Sequence, residues 1–257
     1  GGLYRHSTNF RHLTGDALAI AGKHNIELQN PDYVQIHPTT FYTKHPEDRS
    51  FLISESVRGE GARLYDKNMN RFVNELLPRD LLSQKIHEQM AKDDTDFVWE
   101  DLRTIPAETL RHHFPNIVEH CREMGYDVFK ECIPVVPAQH YFMGGVKVDY
   151  QSRSSMENLY VVGEAACNGV HGKNRLASNS LLESLVFARR AAQDMAEHDL
   201  KNASPQNAIE VADYLASHVD FTPYQDIQTL AETYHHLATQ AITLGQNPEG
   251  RKEFLYV

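Results

Sequence analysis

Apolar and polar positions alternate along the chain with two periods, and these periods predict its elements. Residues Thr14 to His24, TGDALAIAGKH, carry an Ala-rich apolar face and predict a short helix with Thr14 as its N-cap. The stretch DYVQIHPTTFY alternates as a strand does until Pro38 interrupts it, which leaves His37 at a strand end, where chemistry often sits. In PRDLLSQKIHEQMAK, Leu82, Ile86 and Met90 fall at four-residue intervals and mark one buried helical stripe. A further helix is predicted from Pro115 to Gly125, started by the proline and stopped by the glycine. Val135 to Asp149, VVPAQHYFMGGVKVD, reads as extended segments around the Gly144-Gly145 turn, and Asn158 to Val162, NLYVV, as a short buried strand ending in Gly163-Glu164. A long helix then starts near Ser178 to Ser180 and runs through LLESLVFARRAAQDMAEH, with Leu181, Leu182, Leu185 and Val186 facing inward. From Lys201 onward the chain is polar and helical in character, with breaks at Pro205 and Pro223.

Composition narrows the class of protein. The chain has 257 residues, 41% apolar and 23% charged, which are ordinary globular values for one large or two small domains. Lys plus Arg number 25 against 35 Asp plus Glu, a formal charge of −10, so no broad cationic field draws nucleic acid or anionic lipid. No apolar run approaches the roughly 18 residues of a membrane span, and the opening GGLYRHSTNF lacks a signal-peptide core. Cys121, Cys132 and Cys167 show no CxxC or other ligand spacing and fit a reducing, cytoplasmic setting.

Phosphate-binding fingerprints are incomplete. Gly59-Glu60-Gly61 begins a GxGxxG pattern, but Leu64 occupies its third glycine position. Gly172-Lys173 is followed by Asn174, and Cys167 stands where a Walker motif needs its first glycine. No HExxH or similar zinc spacing occurs, so no metal is expected.

Several groups could carry chemistry. Gly169 to Glu183, GVHGKNRLASNSLLE, leads small and polar residues into a helix whose first turn offers free N–H groups to an anion or an electron-rich ring; an ordinary capped helix is the alternative. Arg175 in that loop is either a surface charge or a planar fork for a carboxylate. Glu55 and Arg58, at i and i+3 in SESVRGEG, read equally as a surface ion pair worth under about 1 kcal/mol. His37 in IHPTT and His140 in AQHYFMGG stand beside proline or glycine turns that could aim a ring into a cavity, whereas His112-His113 and His235-His236 read as solvated helix surface.

Taken together, TNFRHLTGD, QIHPTTFY, SESVRGEGARL, LLPRD, AQHYFMGGV, LYVVGEAAC and GVHGKNRLASNSLLES resemble, in order, the motifs of the succinate dehydrogenase and fumarate reductase flavoprotein family. The NRLASNSLLE wording is most similar to the aspartate-oxidising branch. The resemblance implies an α/β plus α+β chain: part of a Rossmann-like FAD-binding domain at 1–37 and 137–198, interrupted by a capping domain at 38–136, with a helical region at 199–257. It also implies that the GxGxxG unit precedes Gly1 in a longer enzyme, of which about the first third is absent here. Asp16, Gly144, Gly145, Glu164, Ser180 and Leu181 then resemble FAD contacts. His37, Ser54, His140 and Arg175 resemble the groups that hold a small dicarboxylate, aspartate, fumarate or succinate; Ser54 stands where many relatives carry threonine. Arg79 resembles the proton-transferring arginine, with Glu55 and Arg58 as its relay to solvent. An arginine is a poor base at its free pKa of about 12 or higher, so such a role requires a cationic, partly desolvated setting. The implied activity is oxidation of aspartate to iminoaspartate for NAD biosynthesis, with electrons passing to O2 or fumarate. The alternatives are fumarate reduction or succinate oxidation, and a non-catalytic role for the isolated chain, which lacks the pyrophosphate site.

Overall fold

In a computed structural model, described for residues 1–44, 49–198, 220, 222 and 225–244, the chain is mixed α/β. It divides into two units, residues 1–13 with 35–141 and residues 14–34 with 142–248, apart from a further stretch beyond the described residues.

The first unit is built on a four-stranded sheet of order β2-β5-β4-β3, comprising β2 (Val34–Phe41), β3 (Arg63–Tyr65), β4 (Val98–Asp101) and β5 (Ile133–Phe142). β4 runs antiparallel to both neighbours, so that Glu100 lies opposite Leu64 on β3 and Ile133 on β5. Four helices pack with this sheet: α2 (Glu55–Gly59), α3 (Arg79–Asp93), α4 (Ala107–His113) and α5 (Pro115–Glu123). The core joins Leu64, Val98 and Ile133 of the sheet to Leu82 and Ile86 of α3, Leu110 of α4 and Ile117 and Cys121 of α5. The expected stripe on α3 is therefore the buried one, with Met90 packed at its edge. α5 opens on Pro115 as its sequence requires.

β2 does not stop at Pro38 but runs through it, and His37 is an interior, buried strand residue rather than a terminal one. β2 lies at the end of the sheet order, the position where a missing backbone donor is tolerated.

The second unit contains the sheet β1-β6-β7, formed by β1 (Leu28–Gln29), β6 (Gly145–Lys147) and β7 (Ala166–Cys167), and the helices α1 (Asp16–Lys23), α6 (Asn179–His198) and α7 (Ile227–Leu244). The N-cap of α1 is Gly15, at φ 85°, not Thr14, whose hydroxyl donates instead to Asp16 Oδ1 at 2.6 Å. NLYVV is not a buried strand: its ladder is one bridge between Arg153 and Tyr160, too little pairing to draw it inside.

The inward face of α6 also differs from expectation. Leu181, Leu182, Leu185 and Val186 are exposed, and Glu183, Phe187, Ala191 and Asp194 are buried instead. Polar anchors select that face. Asp194 accepts from Arg153 Nε at 2.6 Å and from the Tyr160 hydroxyl at 2.6 Å, and Glu183 accepts from Asn168 Nδ2. Polar expectations at Pro205 and Pro223 lie outside the described residues; α7 buries Ala238 and Ile242 and packs on α1.

Candidate active site

Six candidate residues converge on the first unit. Ser54 caps α2, its hydroxyl accepting the Ser56 N–H at 3.3 Å, so that Glu55 begins the helix and Arg58 follows one turn later. Pro78 fixes the entry to α3 and sets Arg79 at its first position. The Arg79 fork bridges elements: Nε and Nη2 donate to Glu55 Oε2 at 2.9 and 2.6 Å, and Nη1 donates to Gln35 Oε1 at 3.0 Å. Arg79 is buried while the Glu55 side chain keeps 46% exposure, so one end of the pair meets solvent. Arg58 is 2% exposed and turns inward, Nη1 donating to the Glu75 carbonyl at 2.9 Å.

His37 and His140 form the other half of this cluster. The rings stand edge to face with centroids 5.3 Å apart. His37 Nε2 lies 3.0 Å from the Ile53 carbonyl, which only accepts, so Nε2 carries the proton and buried Nδ1 keeps a free lone pair. Burial, followed by repulsion from His140, holds the His37 pKa well below its ordinary value, so the ring is neutral. His140 Nδ1 meets the Thr8 hydroxyl at 2.8 Å. Ser7 and Asn9 anchor the strand beneath it, donating to Gln139 Oε1 at 2.5 and 3.1 Å.

The remaining candidates lie in the second unit. Arg175 is buried, and its Nη1 donates to the Leu176 carbonyl at 3.1 Å and to Ser180 Oγ at 3.4 Å, which ties the loop to the first turn of α6. Glu164 accepts the Phe142 N–H at 2.8 Å; partial dehydration of the carboxyl raises its pKa. Asp16 is exposed at the start of α1, and Leu181 projects from α6 with 72% exposure. Gly144 and Gly145 are required by their own backbone neighbours. A Cβ would lie 1.9 Å from the Asn30 carbonyl oxygen at Gly144 and 2.3 Å from that of Ala165 at Gly145, where φ is +140°.

Residues 1–181 match the family model described as FAD binding domain. The chain belongs to the FAD binding domain family. FAD is the cofactor that goes with this family. Among curated relatives, the chain is 55% identical over 195 residues to L-aspartate oxidase of Clostridium perfringens, covering 76% of this chain and 44% of the relative. It is 50% identical to L-aspartate oxidase of Clostridium acetobutylicum, covering 76% of this chain and 45% of that one. Among solved structures, a variant of E. coli quinol fumarate reductase matches with a TM-score of 0.71 at 33% identity, covering 81% of this chain and 39% of the other. The chain thus spans less than half the length of the relatives it matches.

The second unit's residues fit such a cofactor on their own chemistry. The exposed Glu164 carboxylate, which accepts the Phe142 N–H, has acceptor capacity left for a hydroxylated chain, and the exposed Val170, Leu176, Leu181 and Leu182 offer apolar surface to a flat ring.

Motif reading did not find Gln35 or Thr8. Gln35 had a signal, since it stands two residues before His37 and so faces the same side of β2. Thr8 reaches His140 across 132 positions, and no local pattern reports such a contact.

Proposed function

We propose that the protein carrying this chain is an FAD-dependent oxidase that converts L-aspartate to iminoaspartate. The observation that carries the reading is the 55% identity to an L-aspartate oxidase, joined to an arginine fork fixed by Glu55 and Gln35 in the unit that also holds the buried His37 against the half-buried His140. In this reading residues 1–37 and 137–198 serve the flavin, through Asp16, Gly144, Gly145, Glu164, Ser180 and Leu181, and residues 38–136 form the cap.

His37, Ser54, His140 and Arg175 bind the two carboxylates of the substrate. A buried, hydrogen-bonded Arg175 presents a planar charge suited to one of them. Holding the reacting carbon in one orientation can remove several kcal/mol of barrier, roughly 7 to 11 at the limit. Arg79 takes the proton released from the substrate and passes it to Glu55, with which it already shares two hydrogen bonds. When bound, FAD supplies the two-electron acceptor chemistry, with O2 or fumarate as the onward acceptor. The product feeds NAD biosynthesis. Three free, buried cysteines agree with a cytoplasmic location, and among the described residues no helix is long and apolar enough to cross a membrane.

A second reading, favoured by the 33% identity to a quinol fumarate reductase, is fumarate reduction or succinate oxidation with the same clamp. Mixing the full-length, flavin-loaded protein anaerobically with aspartate or succinate separates the two. Rapid loss of flavin absorbance with aspartate supports the oxidase, and loss with succinate alone overturns it.

A further inference from the structure

Residues 6–9 run beside the end of β5 and are pinned to it on both sides of Gln139. The Gln139 N–H donates to the His6 carbonyl at 2.9 Å and the Thr8 N–H to the Gln139 carbonyl at 2.9 Å, with Ser7 and Gln139 as parallel neighbours. Side chains alternate in direction along such extended segments. Ser7 and Asn9 share the Gln139 side-chain oxygen, and Asn9 also donates to the His140 carbonyl at 3.2 Å, whereas Thr8 meets the His140 ring. Threonine is stiff about its first side-chain torsion, so on a backbone held this firmly its hydroxyl has few directions to take.

That hydroxyl has a single proton and two neighbours within reach, His140 Nδ1 at 2.8 Å and the Gln139 carbonyl at 3.4 Å. The carbonyl already takes the Thr8 N–H, and its distance lies beyond the usual range of about 2.5 to 3.0 Å for an O–H···O bond. The proton therefore goes to the imidazole, and a neutral ring that accepts at Nδ1 carries its own hydrogen on Nε2.

His37 is held the opposite way. Its Nε2–H is committed to the Ile53 carbonyl at 3.0 Å, so the neutral ring keeps a lone pair on Nδ1. An ionised carboxylate only accepts, so it needs an N–H from whichever ring it meets. Of the two neutral imidazoles, His140 has the tautomer that offers one.

Resting on the functional reading above, we propose that Thr8 is a positioning residue for substrate binding: its hydroxyl, donating to Nδ1, holds neutral His140 as the Nε2–H tautomer, and that N–H donates to a substrate carboxylate. Thr8 itself touches neither substrate nor flavin in this scheme, and no proton changes owner.

Thr8→Val removes the hydroxyl and keeps the branched shape, while Thr8→Ser keeps the hydroxyl. In the full-length, flavin-loaded enzyme, anaerobic bleaching by aspartate is followed at about pH 9, well above the ordinary histidine value of about 6.5. Thr8→Val is expected to raise the half-saturating aspartate concentration about tenfold, the worth of one hydrogen bond, with the limiting rate changed by less than about threefold. Thr8→Ser is expected to stay within about threefold of the parent in both, its looser torsion accounting for the difference. An unchanged half-saturation in Thr8→Val, a loss confined to the limiting rate, or a folded Thr8→Ser as weak as Thr8→Val overturns the proposal.

The tautomer is also readable without turnover. In the same protein with ¹⁵N-labelled histidines, and with His140→Gln to assign the signals, the His140 ring is expected to show a hydrogen-bearing Nε2 and a bare Nδ1 in the parent and in Thr8→Ser. The Nδ1 signal is expected to move in Thr8→Val, where that nitrogen loses its donor. A hydrogen on Nδ1 of the neutral ring in the parent overturns the proposal, and the parent spectrum decides this even where a variant does not fold. If neither aspartate nor succinate bleaches the parent, the functional reading fails and takes the substrate role of His140 with it; the nitrogen spectrum still reports separately whether Thr8 sets the tautomer.

Discussion

Arg79 places two donors on a single oxygen of Glu55, Nε at 2.9 Å and Nη2 at 2.6 Å, and spends its third contact on Gln35. This arrangement fixes the fork in orientation, which a proton-transferring group needs more than a carboxylate clamp does. Arg79→Ala in the full-length enzyme is expected to lower turnover by about 10²- to 10⁴-fold, the usual worth of a positioned acid or base. Dicarboxylate affinity is expected to change far less. Stopped-flow bleaching against substrate concentration separates rate from binding, and a loss of binding with intact turnover contradicts the assignment. Arg79→Lys keeps the charge but cannot reach Glu55 and Gln35 together, so it is expected to rescue poorly.

His37 carries a pH prediction. Its Nε2–H is committed to the Ile53 carbonyl, so the ring can donate to a substrate carboxylate only from Nδ1, and only after gaining a proton. In the free protein burial keeps the ring neutral. Dicarboxylate binding that charges this ring is therefore expected to take up a proton at pH values above the lowered pKa of the free state. Calorimetric titration of the full-length protein in two buffers with different ionisation heats measures this uptake directly. Affinity should weaken as pH rises above that value, and binding without proton exchange removes His37 from the clamp.

The short motifs carried much of the candidate site, and side-chain anchoring decided what they left open. PRD announces Arg79 at a helix start because proline sets the first turn, a purely local effect. β2 passing through Pro38 depends on an edge position that only the sheet order reveals. The α6 helix has an apolar stripe and a mixed stripe, and periodicity favours the apolar one. The buried stripe is instead the one carrying Asp194 and Glu183, because Arg153, Tyr160 and Asn168 draw those carboxylates inward. Such contacts join residues 15 to 41 positions apart, beyond the reach of any local pattern.

His6 and His87 line a cavity of about 610 Å³ in the first unit, together with Arg5, Asp94 and Asp96. Burial lowers both pKa values to about 4, with Arg5 and Arg11 adding to the effect at His6 and His6 itself adding to it at His87. Both rings are therefore neutral in the fold, whereas the unfolded chain binds protons on them below about 6.5. Stability consequently declines as pH drops from about 6.5 to about 4, since the unfolded state holds more protons there. His6→Gln is expected to flatten the melting temperature across that interval. An equal slope in variant and parent would show that His6 does not contribute to it.

Gly144 ties the second unit together at a point where no side chain fits. A Cβ there would sit 1.9 Å from the Asn30 carbonyl oxygen and 2.7 Å from its carbon, both backbone atoms that cannot swing aside. The same turn is held by the Met143 and Gly144 N–H groups, which donate to the Tyr33 carbonyl at 2.8 and 3.3 Å. Relieving the overlap means separating the Asn30 turn from the end of β5 and breaking these bonds. Gly144→Ala is therefore expected to destabilise by more than about 3 kcal/mol, the range reached when backbone must move. Gly22→Ala is a matched control inside α1, where a Cβ meets nothing within 4 Å, and it is expected to be neutral or mildly stabilising. Thermal melts of the two variants, with flavin retention measured alongside, test the difference. Equal melting would mean that the turn yields, and the close approach would then lose its role in positioning β6 and the candidate flavin-binding residues beside it.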